Sequence, residues 1–238
     1  MFDTYRIFNG KPFFIKEHLE RLYKSAKGAN IKISFTKAEL ARLLSYYYKK
    51  FRQKDAFVRL IVTKGRGSQG LLSKTVPTLI IIFSKRDFNP LGKISAIISP
   101  IKKFSQDSSG RSIKGLDYGL AAQILSKTKN TKAKAVIFLN ERGKITEAAT
   151  SNIFLVKNNK LFTPPLKSGP LPGVTRQLVL KYFKVTQKEL TLRDLLAADE
   201  VFLTGTADFA TSIKSIGRKV YKKFDNAKAV FGKLFSLI

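Results

Sequence analysis

The chain has no cysteine and no tryptophan, one methionine and one histidine. Without thiols there is no disulfide and no thiolate metal site, and nothing calls for an oxidising compartment. The cytoplasm is the expected location. A single imidazole is equally restrictive, because Cys-His pairs and multi-histidine zinc sites are excluded and a Ser-His-Asp triad would have to use His18. His18 lies in "IKEHLERLYKSAK", whose period is that of an amphipathic helix, so it reads as a helix-packing residue. Acid and base chemistry then falls to Lys, Tyr, Asp or Glu, and no metal is expected. Acidic residues are also scarce: 16 stand against 45 Lys and Arg, for a net charge of +29. Such a charge would ordinarily point to nucleic acid or an anionic membrane surface. The basic residues, however, are spread through every segment, with no zinc-finger spacing and no RNP-type aromatic pair. Solvated lysine-rich faces account for them, and neither nucleic acid nor membrane is an expected partner. No apolar run approaches the roughly 18 residues of a spanning helix. The start "MFDTYRIFNG" also lacks the basic-then-apolar layout of a signal peptide.

What is present suits a packed globule. The 238 residues are 44% hydrophobic and 11% aromatic, enough for one large or two small domains. "TYRIF" and "PFFI" flank Asn9 and Gly10, a hairpin signal. A helix is expected from about Lys16 to Gly28. A capping box, Thr36 with Glu39, opens a second one through "LARLLSYYYKKF". Strands "AFVRLIVTK" and "PTLIIIFS" follow, joined by a glycine-rich loop. The loss of periodicity around "KRDFNPLGK" marks a linker. The expected domains are 1–84 (small, α/β), 85–92 (linker) and 93–238 (large, mixed β). In the last, "ISAIISP", "KAVIFLN", "KITEAAT", "NIFLV", "KLFTPP" and "DEVFLTG" read as strands. "DYGLAAQILSKT", "TRQLVLKYF", "TLRDLLAA" and the tail "AKAVFGKLFSLI" read as helices. The fold class is mixed, α+β or α/β.

Within "KITEAATSNIFLV" a carboxylate and an amide, Glu147 and Asn152, interrupt an otherwise strand-like run. Polar groups in buried strands are costly unless paired. Asn152 reads as structural, satisfying backbone groups at a bulge; Glu147 needs a partner. Arg59, within "VRLIV", raises the same question for an anion. Gly173, Val174 and Thr175 sit where a loop enters a helix, whose free N–H groups favour an anion.

Seven stretches in order, "FNGKPFFIKEHLERLYKSA", "VRLIVTKGRG", "IKGLDYG", "ITEAATSNIFLV", "LFTPP", "GPLPGVTR" and "DEVFLTGTA", resemble the class IV (fold type IV) pyridoxal-phosphate enzymes. That family includes branched-chain aminotransferases, D-amino-acid transaminases and aminodeoxychorismate lyases. The resemblance implies a two-domain fold type IV architecture and pyridoxal 5'-phosphate as cofactor. It implies that Lys114 forms the Schiff base and shuttles the substrate proton, with the large domain carrying it. Glu147 would hold the ring nitrogen, a role that keeps the ring protonated and able to accept electrons. Tyr118 would reach the cofactor's phenolic oxygen. Arg59, Gly173, Val174, Thr175 and Thr206 would bind its phosphate. Phe2 and Arg6 would line the substrate pocket, and the backbone of Thr206 and Ala207 would meet the substrate carboxylate. Family members carry a further strand upstream of "MFDTYRIF", so the chain reads as N-terminally shortened. "ATSI" after "GTADF" departs from the family's Pro-Val strand entry. The implied activity is transfer of an amino group from a branched-chain-like amino acid to a 2-oxo acid by a homodimer. Aminodeoxychorismate lyase, which eliminates pyruvate to give 4-aminobenzoate, and a catalytically impaired homologue stay open beside it.

Overall fold

The computed structural model describes residues 1–67, 75–85, 88, 91–103, 113–115, 119–127 and 133–238. Residue contacts divide the chain into two units: one holds residues 1–87 and the short segment bearing Lys114, the other most of the remainder.

In the first unit, β1 (Phe2–Phe8) turns through Asn9 (φ 45°) and Gly10 (φ 83°) into β2 (Lys11–Pro12). Both turn residues take the left-handed conformation that Asn-Gly tolerates and the tight hairpin needs. β2 is shorter than "PFFI" suggested. Pro12 offers no N–H to a ladder, and Phe14 turns to φ 50° to open α1 (Ile15–Gly28), so the chain leaves the sheet at once. α2 (Lys37–Phe51) starts on a complete capping box: Thr36 Oγ1 accepts from the Glu39 amide at 3.2 Å, and Glu39 Oε2 accepts from the Thr36 amide at 2.7 Å. β3 (Ala56–Gly67) and β4 (Thr75–Ser84) complete an antiparallel sheet of order β2-β1-β3-β4. Alternation along the strands sends Tyr5, Ile7, Val58, Leu60 and Val62 against Leu19, Leu22, Leu40 and Leu44 of the helices. On β4, Leu79, Ile81 and Phe83 join that core, while Val76, Ile80 and Ile82 stay exposed on the other face.

The second unit contains β5 (Lys93–Ile98), α3 (Gly119–Lys127), β6 (Ala133–Leu139), β7 (Ile145–Ala148), β8 (Asn152–Lys157), β9 (Lys160–Thr163), α4 (Val174–Tyr182), β10 (Val185–Gln187), α5 (Leu192–Ala197), β11 (Glu200–Gly205), β12 (Phe209–Ile216), β13 (Lys219–Val220) and α6 (Asp225–Phe235). Its sheet runs β10-β9-β8-β11-β12-β5-β6-β7, with β13 on β12. β12 pairs parallel with β5 and antiparallel with β11. The Ala148 amide donates to the Ser151 carbonyl at 2.8 Å, so a two-residue turn brings the last strand, β7, back to β8 and curls the sheet upon itself. Ile137, Ile145, Ile153, Leu155, Val201, Leu203 and Ile213 fill the interior.

β12 was not read from sequence, because Thr211, Ser212, Lys214 and Ser215 blur its apolar alternation. Its position between two strands, and not its own hydrophobicity, holds it there. Phe209 enters it at φ 58°, a conformation costly for a bulky residue. Complete burial of its ring against Phe88 and Phe231 offsets that cost.

Candidate active site

Asp3, Glu147 and Glu200 are the buried carboxylates among the described residues, and each solves its desolvation differently. Glu200 accepts from the Asn226 and Ala227 amides and the Asn226 side chain, closing the start of α6. Asp3 takes Arg21 in a two-point pair at 2.8 Å and His18 Nδ1 at 2.7 Å. Burial alone would push the Asp3 carboxyl up, but the Arg21 and His18 charges and hydrogen bonds outweigh it and hold it well below the usual carboxylate range. His18 Nδ1 also faces Arg21 Nη2 at 3.3 Å. The shorter contact assigns the Nδ1 proton to Asp3, and burial pushes the imidazole's pKa down, so the ring is neutral at pH 7. The helix-packing role read for His18 holds, with a polar partner added.

Glu147 is different: its donors come from three separate segments. Oε1 pairs with the Lys103 ammonium. Oε2 accepts from the Leu171 amide at 2.9 Å and from Asn152 Nδ2 at 3.2 Å. Asn152 Nδ2 also donates to the Leu171 carbonyl at 2.8 Å. Asn152 therefore satisfies backbone, as its strand position suggested, and steadies Glu147 as well. The start of α4 abuts the same amide, since a Cβ on Gly173 would lie 2.1 Å from Asn152 Oδ1. Gly173 makes no side-chain cap, and the first-turn N–H groups of Val174 and Thr175 have no partner within an α-helix. Across the sheet Asn152 stands opposite Thr204, whose buried Oγ1 has no hydrogen-bond partner among the described residues. Thr206 and Ala207 form the half-buried turn that follows β11. Arg176, also on α4, is buried, donates to the Pro164 carbonyl and to Gln187, and is close enough for Glu147 to act on it electrostatically.

In the first unit, Lys114 is half-buried, and its backbone is held on both sides. Its amide donates to Ser25 Oγ at 3.3 Å, and its carbonyl accepts from the Phe2 amide at 3.0 Å. The Lys114 ammonium lies 4.6 Å and the Arg59 guanidinium 5.5 Å from the centre of the Phe2 ring. Arg59 is exposed within the chain, so the desolvation argument made for it from sequence does not apply. Arg6 is buried, its guanidinium over Phe8 and Phe57. Phe2 and Arg6 alternate with the core residues Tyr5 and Ile7, which puts them on the sheet face turned away from the helices. Tyr118 lies outside the described residues.

Lys103 and Arg176 were missed from sequence. Lys103 is one of 45 cations with no local signal, whereas Arg176 was marked by its place inside "GPLPGVTR".

The family model described as amino-transferase class IV matches residues 1–216. The chain belongs to the class IV aminotransferase family. A Methanocaldococcus jannaschii protein with the provisional name branched-chain-amino-acid aminotransferase is 35% identical over 87% of this chain and 75% of its own length. The aminodeoxychorismate lyase of Bacillus subtilis is 31% identical over 87% of this chain and 73% of its own. The solved branched-chain aminotransferase of Escherichia coli superposes with a TM-score of 0.91 at 26% identity, covering 100% of this chain and 84% of that one. The class IV enzyme is of fold type IV, and its cofactor is pyridoxal 5'-phosphate. The second unit suits such a group. It offers a buried carboxylate for a protonated ring nitrogen, first-turn helix N–H groups for a phosphate, and a threonine hydroxyl on the strand facing Asn152 that is unpartnered among the described residues. Among the described residues no helix is long and apolar enough to cross a membrane, and no cluster of three or more metal-ligating side chains occurs.

Proposed function

We propose that this class IV enzyme transfers the amino group of a branched-chain-like amino acid to a 2-oxo acid. The observation that carries this reading is the buried Glu147 carboxylate, met by Lys103, Leu171 and Asn152 beside the uncapped start of α4. Pyridoxal phosphate, when bound, supplies an electrophilic carbon and a ring that takes up the electron pair of a deprotonated substrate carbon. Glu147 holds the proton on the ring nitrogen. Lys114 would carry the cofactor on its ε-amine, and the same amine would serve as the base that takes the proton from the substrate Cα. The N–H groups of Val174 and Thr175 at the Gly173 turn, the Thr206 hydroxyl and Arg59 bind the phosphate, and Tyr118 meets the phenolic oxygen. Phe2 and Arg6 line the substrate pocket, and the backbone of Thr206 and Ala207 holds the substrate carboxylate. The working form is a homodimer in the cytoplasm. Similarity to the B. subtilis lyase favours a second reading, in which the same proton removal leads to loss of pyruvate and leaves an aromatic amine.

The test is the visible absorption of the purified, cofactor-loaded protein before and after a panel of L- and D-amino acids, with product analysis. Bleaching by L-leucine, L-isoleucine and L-valine, with release of the matching 2-oxo acids, is expected. Lys114→Ala should fold normally and show neither the band nor turnover. No response to any amino acid, together with pyruvate and 4-aminobenzoate formed from aminodeoxychorismate, would replace the transaminase by the lyase. Full activity in Lys114→Ala would remove both.

A further inference from the structure

We infer that Lys103 is a positioning residue for Glu147, holding the buried carboxylate in place with its Oε1 edge directed. This rests on the reading of Glu147 as the partner of the cofactor's ring nitrogen.

Glu147 is 7% exposed. Its Oε2 is taken by two donors fixed by the fold, the Leu171 amide and Asn152 Nδ2. Among the described residues Oε1 has a single partner, the Lys103 ammonium. An oxygen with one donor keeps a lone pair for a further N–H, so Oε1 is the edge that can receive a ring nitrogen.

Lys103 does not reach this place as a loose surface lysine. Its amide donates to the Leu139 carbonyl at 2.8 Å, and it forms a parallel bridge with Asn140. Asn140 is completely buried. Its Oδ1 accepts from the Arg142 and Lys144 amides at 3.0 and 2.9 Å, and its Nδ2 donates to the Ser168 carbonyl at 3.2 Å. The backbone from which Lys103 springs is thus tied to the same sheet that carries Glu147. The Lys103 side chain is 41% exposed against 10% for Glu147, so the lysine stays largely hydrated while the carboxylate gains a cation. That division avoids most of the cost of burying a complete ion pair.

The charged and polar groups facing Glu147 are Lys103 from the segment after β5, Arg176 from α4, Asn152 from β8 and the Leu171 amide. Arg176 acts only at a distance, its own Nη2 being committed to Pro164 and Gln187. Lys103 is therefore the one cation in contact with the carboxylate among the described residues. Remove it, and the buried carboxylate loses the cation that fixes the direction of its Oε1 edge.

The experiment is a titration of cofactor-stripped full-length protein with pyridoxal phosphate near pH 8, read by the visible band. Urea unfolding of the same samples is measured in parallel. Lys103→Met should weaken cofactor affinity by about tenfold near pH 8, the lower end of what a charge-assisted hydrogen bond contributes. Lys103→Arg should restore the affinity. In a Glu147→Gln background, Lys103→Met should add nothing. Should Lys103→Met not fold, Lys103→Gln, neutral but still a donor, is read in its place. A merely structural lysine would lower the urea midpoint and weaken binding as much in the Glu147→Gln background as in the parent, which would overturn the inference. If Glu147→Gln is impaired while Lys103→Met binds normally, only the role of Lys103 falls. If Glu147→Gln binds and turns over normally, the reading of Glu147 falls with it.

Discussion

Gly173→Ala tests the packing of the site without touching a charged group. The backbone at Gly173, φ −66° and ψ 138°, is one that alanine adopts freely, so strain in the chain contributes nothing. The cost is steric: the new Cβ would sit 2.1 Å from Asn152 Oδ1, and the amide must leave. With it go the bond to the Leu171 carbonyl and the bond to Glu147. A neutral hydrogen bond is worth about 1 kcal/mol and one to a charged acceptor about 1.5–3 kcal/mol, so the loss is about 2.5–4 kcal/mol. Lower unfolded-chain entropy returns about 0.4–1 kcal/mol, leaving a net destabilisation of about 2–3 kcal/mol. Asn152→Ala should cost about 2.5–4 kcal/mol by removing the same two bonds directly. In that background Gly173→Ala meets no amide and should be neutral or slightly stabilising. The assay is urea unfolding followed by circular dichroism on the parent, both single variants and the double variant. Equal cost of Gly173→Ala in both backgrounds would show that Asn152 is not what the glycine accommodates.

Two further outcomes concern the first unit. Asp3→Asn should destabilise the protein by about 3–5 kcal/mol in the same unfolding assay, because Arg21 loses a buried counter-charge and His18 its charged acceptor; a change below about 1 kcal/mol would show that the cluster contributes little net stability. A pH series of melting temperatures should show stability falling as pH drops below about 6.5, where the unfolded histidine takes up a proton that buried His18 resists, and again below about 4 as Asp3 loses its advantage. Both folded pKa values are depressed, so each contribution is complete above the unfolded pKa and lost on acidification. A His18→Asn variant should lack the upper step; retention of that step would assign it elsewhere.

Local chemistry was legible where a few adjacent residues decide the outcome. Asn9 and Gly10 specify their turn, Thr36 and Glu39 their helix start, and the polar interruption at Glu147 and Asn152 announces a buried requirement. What was not legible depends on residues distant in sequence. β12 is a strand because β11 and β5 flank it, although hydroxyl side chains hide its period. "PFFI" ends early because α1 must begin. Asp3 was not singled out from sequence, because its partners Arg21 and His18 reach it only from α1. Lys103 cannot be told from any other lysine until the Asn140 bridge places it at Glu147. Exposure of Arg59 likewise follows from which sheet face is left uncovered by the helices.

The uncovered face of β4 gives the net charge of +29 a colloidal meaning. Val76, Ile80 and Ile82 form an apolar row on a strand at the sheet's end, the kind of edge along which chains pair out of control. Pro77 interrupts that strand's ladder near its start, and mutual repulsion between molecules of high like charge keeps the rows apart. Salt shortens the reach of that repulsion to about 10 Å at about 0.1 M. A charge that names no ligand therefore acts as the solubility device of a sheet whose edge is sticky.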